Sequence, residues 1–406
     1  MNKLLVLLFL YRALFASEIG DKVLICGIAR NVEKAVANTI SSIEKLGGKF
    51  QEYHVIIYEN NSKDTTAKLF QKWAKKNKHV TFISEHIREK KMVKFLSMGV
   101  MNRYELMARA RNKVLDIAMQ DTYADYKYVI WADLDFLHPW DIDNIVATIL
   151  HPEKEWDAVF ANGFYDLLAY RDAEFPLGFE LLGSRYWGVL DEMRARLMID
   201  KKGPWKRVYS AFGGLAIYKR EALKGCKYSG VVTKDLEKMM ELYLQSLNPK
   251  TCYYDLYQEL RNFFPVVNLE KGLLNRAKYP NEVGVRLCHP LGLGKIVWFS
   301  CTDNYTLPAI CEHIPLHASM ALHGYDKLFV NPRLISRQDA IVDAVGEGRS
   351  LEEAVEAAVQ YARKKYDLNT FRKIYKVAIR SIHTDIEKDQ VIQYTVVAEI
   401  YYYFDR

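Results

Sequence analysis

The segment VIWADLDFLHPW (129–140) closes an apolar run with two carboxylates one residue apart, Asp133 and Asp135. On an extended chain, residues i and i+2 face the same way, so two like charges are aimed at one place. Left alone they repel; a shared cation removes the repulsion. Oxygen-only ligation by paired aspartates suits Mn2+ or Mg2+, ions that also take substrate phosphate oxygens. The plain alternative is a solvated strand end.

Other groups fall where such chemistry would want them. In YENNSKDTT (58–66), Glu59 and Asn60 are candidates for ribose hydroxyls or a base edge. The same stretch reads equally as an Asn/Ser turn with Asp64 capping the next helix, and Asn60-Asn61-Ser62 is a glycosylation sequon. RYELMARARN (103–112) offers Arg103, Arg109 and Arg111. Arg109 is the one expected to face the ligand, with a solvated helix face as the alternative for the others. Arg30, after the first strand, is better placed to meet a phosphate or a base. GFYDLLAYRD (163–172) sets Asp166, Arg171 and Asp172 among aromatic rings, a combination that suits sugar faces and hydroxyls. Gly213 and Gly214 in SAFGGLAIYK mark a tight turn or a close approach of backbone to ligand.

CEHIPLHASMALHGYDKLFVNP (311–332) carries Glu312, His313, His317 and His323, three of the ten histidines within eleven residues. On a helix His313 and His317 would share a face, but Pro315 argues against a regular helix there. One of these histidines is expected to complete a metal site with the aspartates.

The elements that must position these groups follow from periodicity. Strand-like runs at DKVLICGIARN, YHVIIYENN, HVTFISE and YKYVIWADLDF alternate with helical segments at EKAVANTISSIEKLGG, TAKLFQKWAKKN and NRYELMARARNKVLDIAMQ. That alternation predicts an α/β fold, a mostly parallel sheet flanked by helices, whose ligands bind beyond the carboxyl ends of the strands. Residues 151–332 read as short strands and long loops of the same domain. Residues 336–406, with SLEEAVEAAVQYARKKY as an amphipathic helix, read as a C-terminal helical region.

Residues 1–20 resemble a signal peptide or membrane anchor: Lys3, an apolar stretch Leu4–Leu10 broken at Arg12, then small residues from Ala13 to Ser17. The domain proper is then 21–335. The net charge of +7 suits an anionic ligand or an acidic membrane surface, hence peripheral membrane association, and no block of like charges points to a nucleic-acid partner. The six cysteines contain no CxxC pair, which argues against a structural zinc site. Cys301 and Cys311 are a candidate bridge in an oxidising compartment.

Together, YENNSKDTT, ARARNKVL, ADLDF, FYDLLAYRD and SAFGGLAIYK resemble GT-A-fold glycosyltransferases, and within them the fungal capsule-associated α-1,3-mannosyltransferase-type family. The resemblance spans roughly residues 22 to 332. One departure is the full DxD here, where that family's metal strand ends in an Asn-Asp pair. The resemblance implies a GT-A-like (Rossmann-like) sheet and transfer of mannose or another hexose from a nucleotide-sugar donor to a glycan or glycoconjugate acceptor. Asp135 would bind the cation, with Asp133 on the metal or the ribose. Arg30, Glu59 and Asn60 would hold the nucleotide and Arg109 the diphosphate. His317, with His313 in reserve, would be the further metal ligand. Glu312, with Asp303 behind it, would be the base of an inverting reaction. Asp166, Arg171, Asp172, Gly213 and Gly214 would line the sugar and acceptor sites. The location implied is the ER or Golgi lumen for a eukaryotic source, and otherwise a membrane-associated protein with a cytoplasmic catalytic domain. Two other readings stand beside it: a non-catalytic glycan- or nucleotide-binding module, and a nucleotidyltransferase, which would need a third nearby carboxylate.

Overall fold

The computed structural model describes residues 19–88, 100–151, 154–163, 167–178, 202–230, 232–247, 249, 254, 283–285, 297–299, 310–334, 339–348, 350–365, 372–387 and 390–404. The chain divides into two compact units, residues 1–135 with 141–336, and residues 136–140 with 337–406.

The first unit is built on an eight-stranded, mostly parallel sheet. Strands β1 (Ile19–Ala29), β2 (Phe50–Asn60), β3 (Val80–Glu85) and β4 (Tyr126–Ala132) alternate with helices α1 (Glu33–Gly47), α2 (Thr66–Ala74) and α3 (Val100–Ala118). Helix α4 (Ile142–Ile149), β5 (Ala158–Ala161), β6 (Lys206–Arg207), β7 (Leu215–Lys219), α5 (Lys234–Gln245), a small β8–β9 hairpin (Val283–Val285, Val297–Phe299), α6 (His313–Leu322) and β10 (Leu328–Asn331) follow. The sheet order is β3-β2-β1-β4-β7-β5-β10-β6, with β7 antiparallel between β4 and β5. Strand β1 begins at Ile19, two residues inside the span read as a leader. Residues 1–18 themselves lie outside the described residues.

The local reasons are simple. The central strands are apolar without alternation because helices cover both faces: Val129, Ile130, Trp131 and Ala132 of β4 are all buried. Helix α1 buries Ala35, Val36, Thr39, Ile43 and Leu46, a stripe at three- and four-residue spacing. Its neighbours β1 and β4 form the point where the chain reverses its direction across the sheet, since β2 and β3 lie on one side of β1 and β4 on the other. Open α/β sheets bind ligands beyond the carboxyl ends of strands at that point.

The second unit corrects one expectation. Among the described residues of the region read as helical, only α7 (Leu351–Lys365) is a helix; β11 (Asp339–Gly348), β12 (Arg372–Glu387) and β13 (Gln390–Phe404) form an antiparallel sheet in the order β11-β13-β12. The apolar residues of β12 sit at 374, 377, 379, 382 and 386, a spacing that imitates a helix. Register irregularities fall between Ile374 and Lys376, Ile379 and Ser381, and Asp385 and Ile386. Each extra residue shifts the period-two pattern, so a long irregular strand presents helical intervals.

Candidate active site

Strand β4 stops at Ala132, one residue before the first aspartate. The backbone N–H of Asp133 still donates to Gly214 O (2.8 Å), which holds the chain extended beside the start of β7. Leu134 between the two acids is buried, Asp133 is half-buried and Asp135 is exposed. Leu134 is fixed from two sides. Its carbonyl accepts from Thr39 Oγ1 of α1 at 3.0 Å. Its side chain covers Gly27 of β1 so closely that a Cβ there would lie 2.7 Å from it. Burial of the middle residue thus turns both acids outward at the end of the strand.

Behind Asp133 stands Arg111, not Arg109. Arg111, fully buried in α3, donates from Nε to Glu312 Oε1 at 2.9 Å and from Nη2 to Asp133 Oδ1 at 3.4 Å. Its guanidinium carbon lies 4.8 Å from the Phe212 ring centre, 5.5 Å from Trp131 and 5.8 Å from Tyr228. Burial alone would lower the Arg111 pKa, but the carboxylates of Glu312 and Asp133 outweigh it and raise it, so the charge is permanent. The sequence signal was present: Ala108, Arg111, Leu115 and Ala118 lie on one helical stripe and are all buried. Arg109, about 200° away around the helix, points elsewhere.

Arg109 pairs with Glu85 at the end of β3 (2.8 Å), and Lys113 joins the same carboxylate at 2.7 Å. Hydrogen bonds from Lys113 and then Tyr58 hold the Glu85 carboxyl at about 2, well below the usual carboxylate range. Ala29 stands opposite Glu59 in the parallel ladder, so exposed Arg30 and half-buried Asn60 leave neighbouring strands side by side. Glu59 is buried, and its two oxygens accept from the Ser62 N–H (2.7 Å) and the Ser84 hydroxyl (2.6 Å). It orders the loop after β2 from within. Asn31 and Asn61, both in the left-handed region (φ 54° and 53°), tie that loop to its neighbours.

Helix α6 forms in spite of Pro315, which occupies its first turn, where no backbone N–H is needed. The helix is apolar all round and buried, histidines included. His317 sits between the Ser210 hydroxyl (Nδ1, 2.8 Å) and the Tyr218 hydroxyl (Nε2, 2.9 Å), so both ring nitrogens are occupied. Burial pushes its pKa down to about 3. His313 stacks on Phe212 at 4.0 Å; burial first, and then the positive charge of Arg111, hold it neutral. Among the described residues no group of three or more His, Cys, Asp or Glu side chains is gathered to hold a metal ion. The expectation that His317 or His313 joins the aspartates is therefore not met by this arrangement. Glu312 is equally enclosed, with its carboxylate on Arg111. That is the position of an ion-pair partner, whereas a base must reach an acceptor hydroxyl.

The remaining expectations are placed as follows. Asp172 is buried and accepts from the Tyr170 hydroxyl, Lys206, and the backbone N–H groups of Glu174 and Phe175. Buried Arg171 donates to the carbonyls of Leu168 and Tyr170. Both knit their own segment together. Gly213 and Gly214 have φ of 62° and 85°. A Cβ on Gly213 would lie 2.2 Å from the Ala161 carbonyl oxygen, so its role is close backbone packing. Asp166, Asp303 and Cys301 lie outside the described residues.

Solved structures similar to this chain include a mannosyltransferase from Pyrobaculum calidifontis in complex with GDP-Man and Mn2+, 16% identical, covering 78% of this chain and 77% of that one at a TM-score of 0.32. Glucosyl-3-phosphoglycerate synthase from Mycobacterium tuberculosis, in complex with UDP, is 19% identical and covers 52% of this chain and 61% of its own at 0.29. A variant of Thermus thermophilus dodecin, 28% identical, covers 18% of this chain and 100% of its own at 0.15. No curated protein matches the sequence. The model of one family, described as Cryptococcal mannosyltransferase 1, matches residues 22–245, more than half of the chain. The match takes in β1 to β4, the Asp133–Asp135 pair and α3 with its buried arginine, and the chain belongs to the Cryptococcal mannosyltransferase 1 family of nucleotide-sugar-dependent glycosyltransferases.

Proposed function

We propose that the protein transfers a mannosyl group, or another hexose, from a nucleotide-sugar donor to a hydroxyl of a glycan or protein acceptor, with Mn2+ (or Mg2+) held at Asp135 and Asp133. The observation that carries this reading is the pair itself. Two outward carboxylates leave the carboxyl end of β4 at the point where the sheet order reverses, with the residue between them locked in the core. Among the described residues the donor set fits an ion held by one or two carboxylates and completed by substrate oxygens. When bound, such an ion offsets the charge that builds on the departing nucleoside diphosphate.

The chain's own groups have separable parts. Arg30 and Asn60, side by side at the ends of β1 and β2, contact the nucleotide. Glu59 fixes the loop that presents Asn60. Arg109 is held near the same edge by Glu85. Among the described residues the acceptor hydroxyl is not assigned a base.

The test is hydrolysis of a panel of nucleotide sugars with and without Mn2+, by wild type and Asp135→Asn. Metal-dependent turnover of one donor is expected. Asp135→Asn should lose on the order of 100-fold or more, the scale of a lost metal contribution of several kcal/mol. Turnover indifferent to the metal or to that substitution overturns the reading.

A further inference from the structure

We infer that Arg111, clamped from behind by Glu312, is a positioning residue: it orients the Asp133 carboxylate and limits how much of that carboxylate's charge a cation must compete for. The inference rests on the reading of Asp133 and Asp135 as a cation site.

The three groups come from distant parts of the chain. Arg111 lies in the middle of α3, Asp133 just beyond β4, and Glu312 at the start of α6. The contacts are unequal. The inner pair is close at 2.9 Å, with both side chains 1% exposed, whereas the outer contact is 3.4 Å, to a side chain 21% exposed. The rings of Trp131, Phe212 and Tyr228 lie around the guanidinium, and its polar partners Glu312 and Asp133 are both carboxylates. Arg111 is therefore committed to Glu312 and only leans on Asp133.

The consequence is electrostatic. A buried arginine beside Asp133 with no counter-charge would neutralise that carboxylate and repel a divalent ion. Glu312 cancels most of the arginine's charge, so Asp133 is held in place by a hydrogen bond and keeps its charge for another partner. A carboxylate so enclosed serves the site without touching substrate.

The inference is tested by titrating the full chain with Mn2+ alone, following loss of the free-ion EPR signal, for wild type, Asp135→Asn, Glu312→Gln and the double variant Arg111→Met/Glu312→Gln. Glu312→Gln hands the full arginine charge to Asp133, and its Mn2+ Kd should rise on the order of 10-fold. The double variant removes both charges together, the change a buried pair tolerates best. Its Kd should return to the wild-type value or below, while donor hydrolysis stays reduced because Asp133 is no longer oriented. If Glu312→Gln does not fold, the double variant alone decides: full hydrolysis overturns the positioning role, and a weakened Kd overturns the charge argument. A Glu312→Gln protein that folds and binds Mn2+ as wild type does also overturns the inference, with the cation site intact if Asp135→Asn abolishes uptake. Equal uptake by wild type and Asp135→Asn overturns the cation reading, and this inference with it.

Discussion

The ends of β1 to β3 and the surroundings of Arg111 are both polar, and they solve their polarity in opposite ways. At the strand ends each acid is met by neighbours: Glu59 by Ser62 and Ser84, Glu85 by Arg109, Lys113 and Tyr58. Around Arg111 the protein offers less. Arg111 Nη1, Trp131 Nε1, the Tyr228 hydroxyl and both nitrogens of His313 are buried and find no hydrogen-bond partner among the described residues. The first region is the better satisfied, with Arg109 Nη1 the exception: it is buried without a hydrogen-bond partner among the described residues. In the second, one charge is shared by two carboxylates in a low-dielectric setting, where removing a single member leaves the others uncompensated.

The comparison can be broken at its strongest point. Arg111→Met leaves Glu312 buried without its counter-charge and should cost about 3–5 kcal/mol in urea denaturation. Arg109→Met, which breaks a partly exposed pair, should cost no more than about 1 kcal/mol. Similar losses for the two arginines would erase the distinction. Glu59→Ala comes next: it strands the Ser62 N–H and Ser84 hydroxyl, for about 1–3 kcal/mol, with the loss confined to stability and the loop after β2.

Acid titration sharpens the contrast in smaller steps. Burial holds His317 near 3 instead of the ordinary 6.5, so between those values the unfolded chain takes up a proton that the folded chain refuses. The stability of the neutral ring is complete above pH 6.5 and is lost as pH falls towards 3, at up to about 1.4 kcal/mol per pH unit. Depressed His313 adds in the same direction. Glu85 stays silent until pH falls below the ordinary 4.5 and is lost through about 2. Half-buried His54 is lowered by burial too, so denaturation between pH 6.5 and 4.5 reports these histidines together and His317→Gln should reduce its slope; an unchanged slope would deny the ring its neutral burial.

Much of this was legible in the sequence for physical reasons. Uninterrupted apolar runs identify β1, β2 and β4, because a sheet covered on both faces has no polar side to alternate. The acidic pair marks the carboxyl end of β4, because like charges at i and i+2 after such a run need an explanation. Arg109 and Arg111 could not be separated by type, only by the stripe of Ala108, Leu115 and Ala118 that carries Arg111 inward. His313 and His317 looked like ligands because their spacing fits a helix face. What occupies them is Phe212, Ser210 and Tyr218, from segments about a hundred residues away. No local pattern announces such partners. In the second unit β12 was hidden by its own irregularities of register.

Leu134, tied at its carbonyl to Thr39 and seated over Gly27, makes the two aspartates a lever whose fulcrum is its side chain's seat. The fulcrum belongs to β1, a strand that contributes neither acid. Any side chain added at residue 27 would lift the leucine and tip both carboxylates together, changing their aim without altering a charge or a ligand. The spacing of the acids is written in the motif; their direction is written a hundred residues earlier, in a missing methyl group.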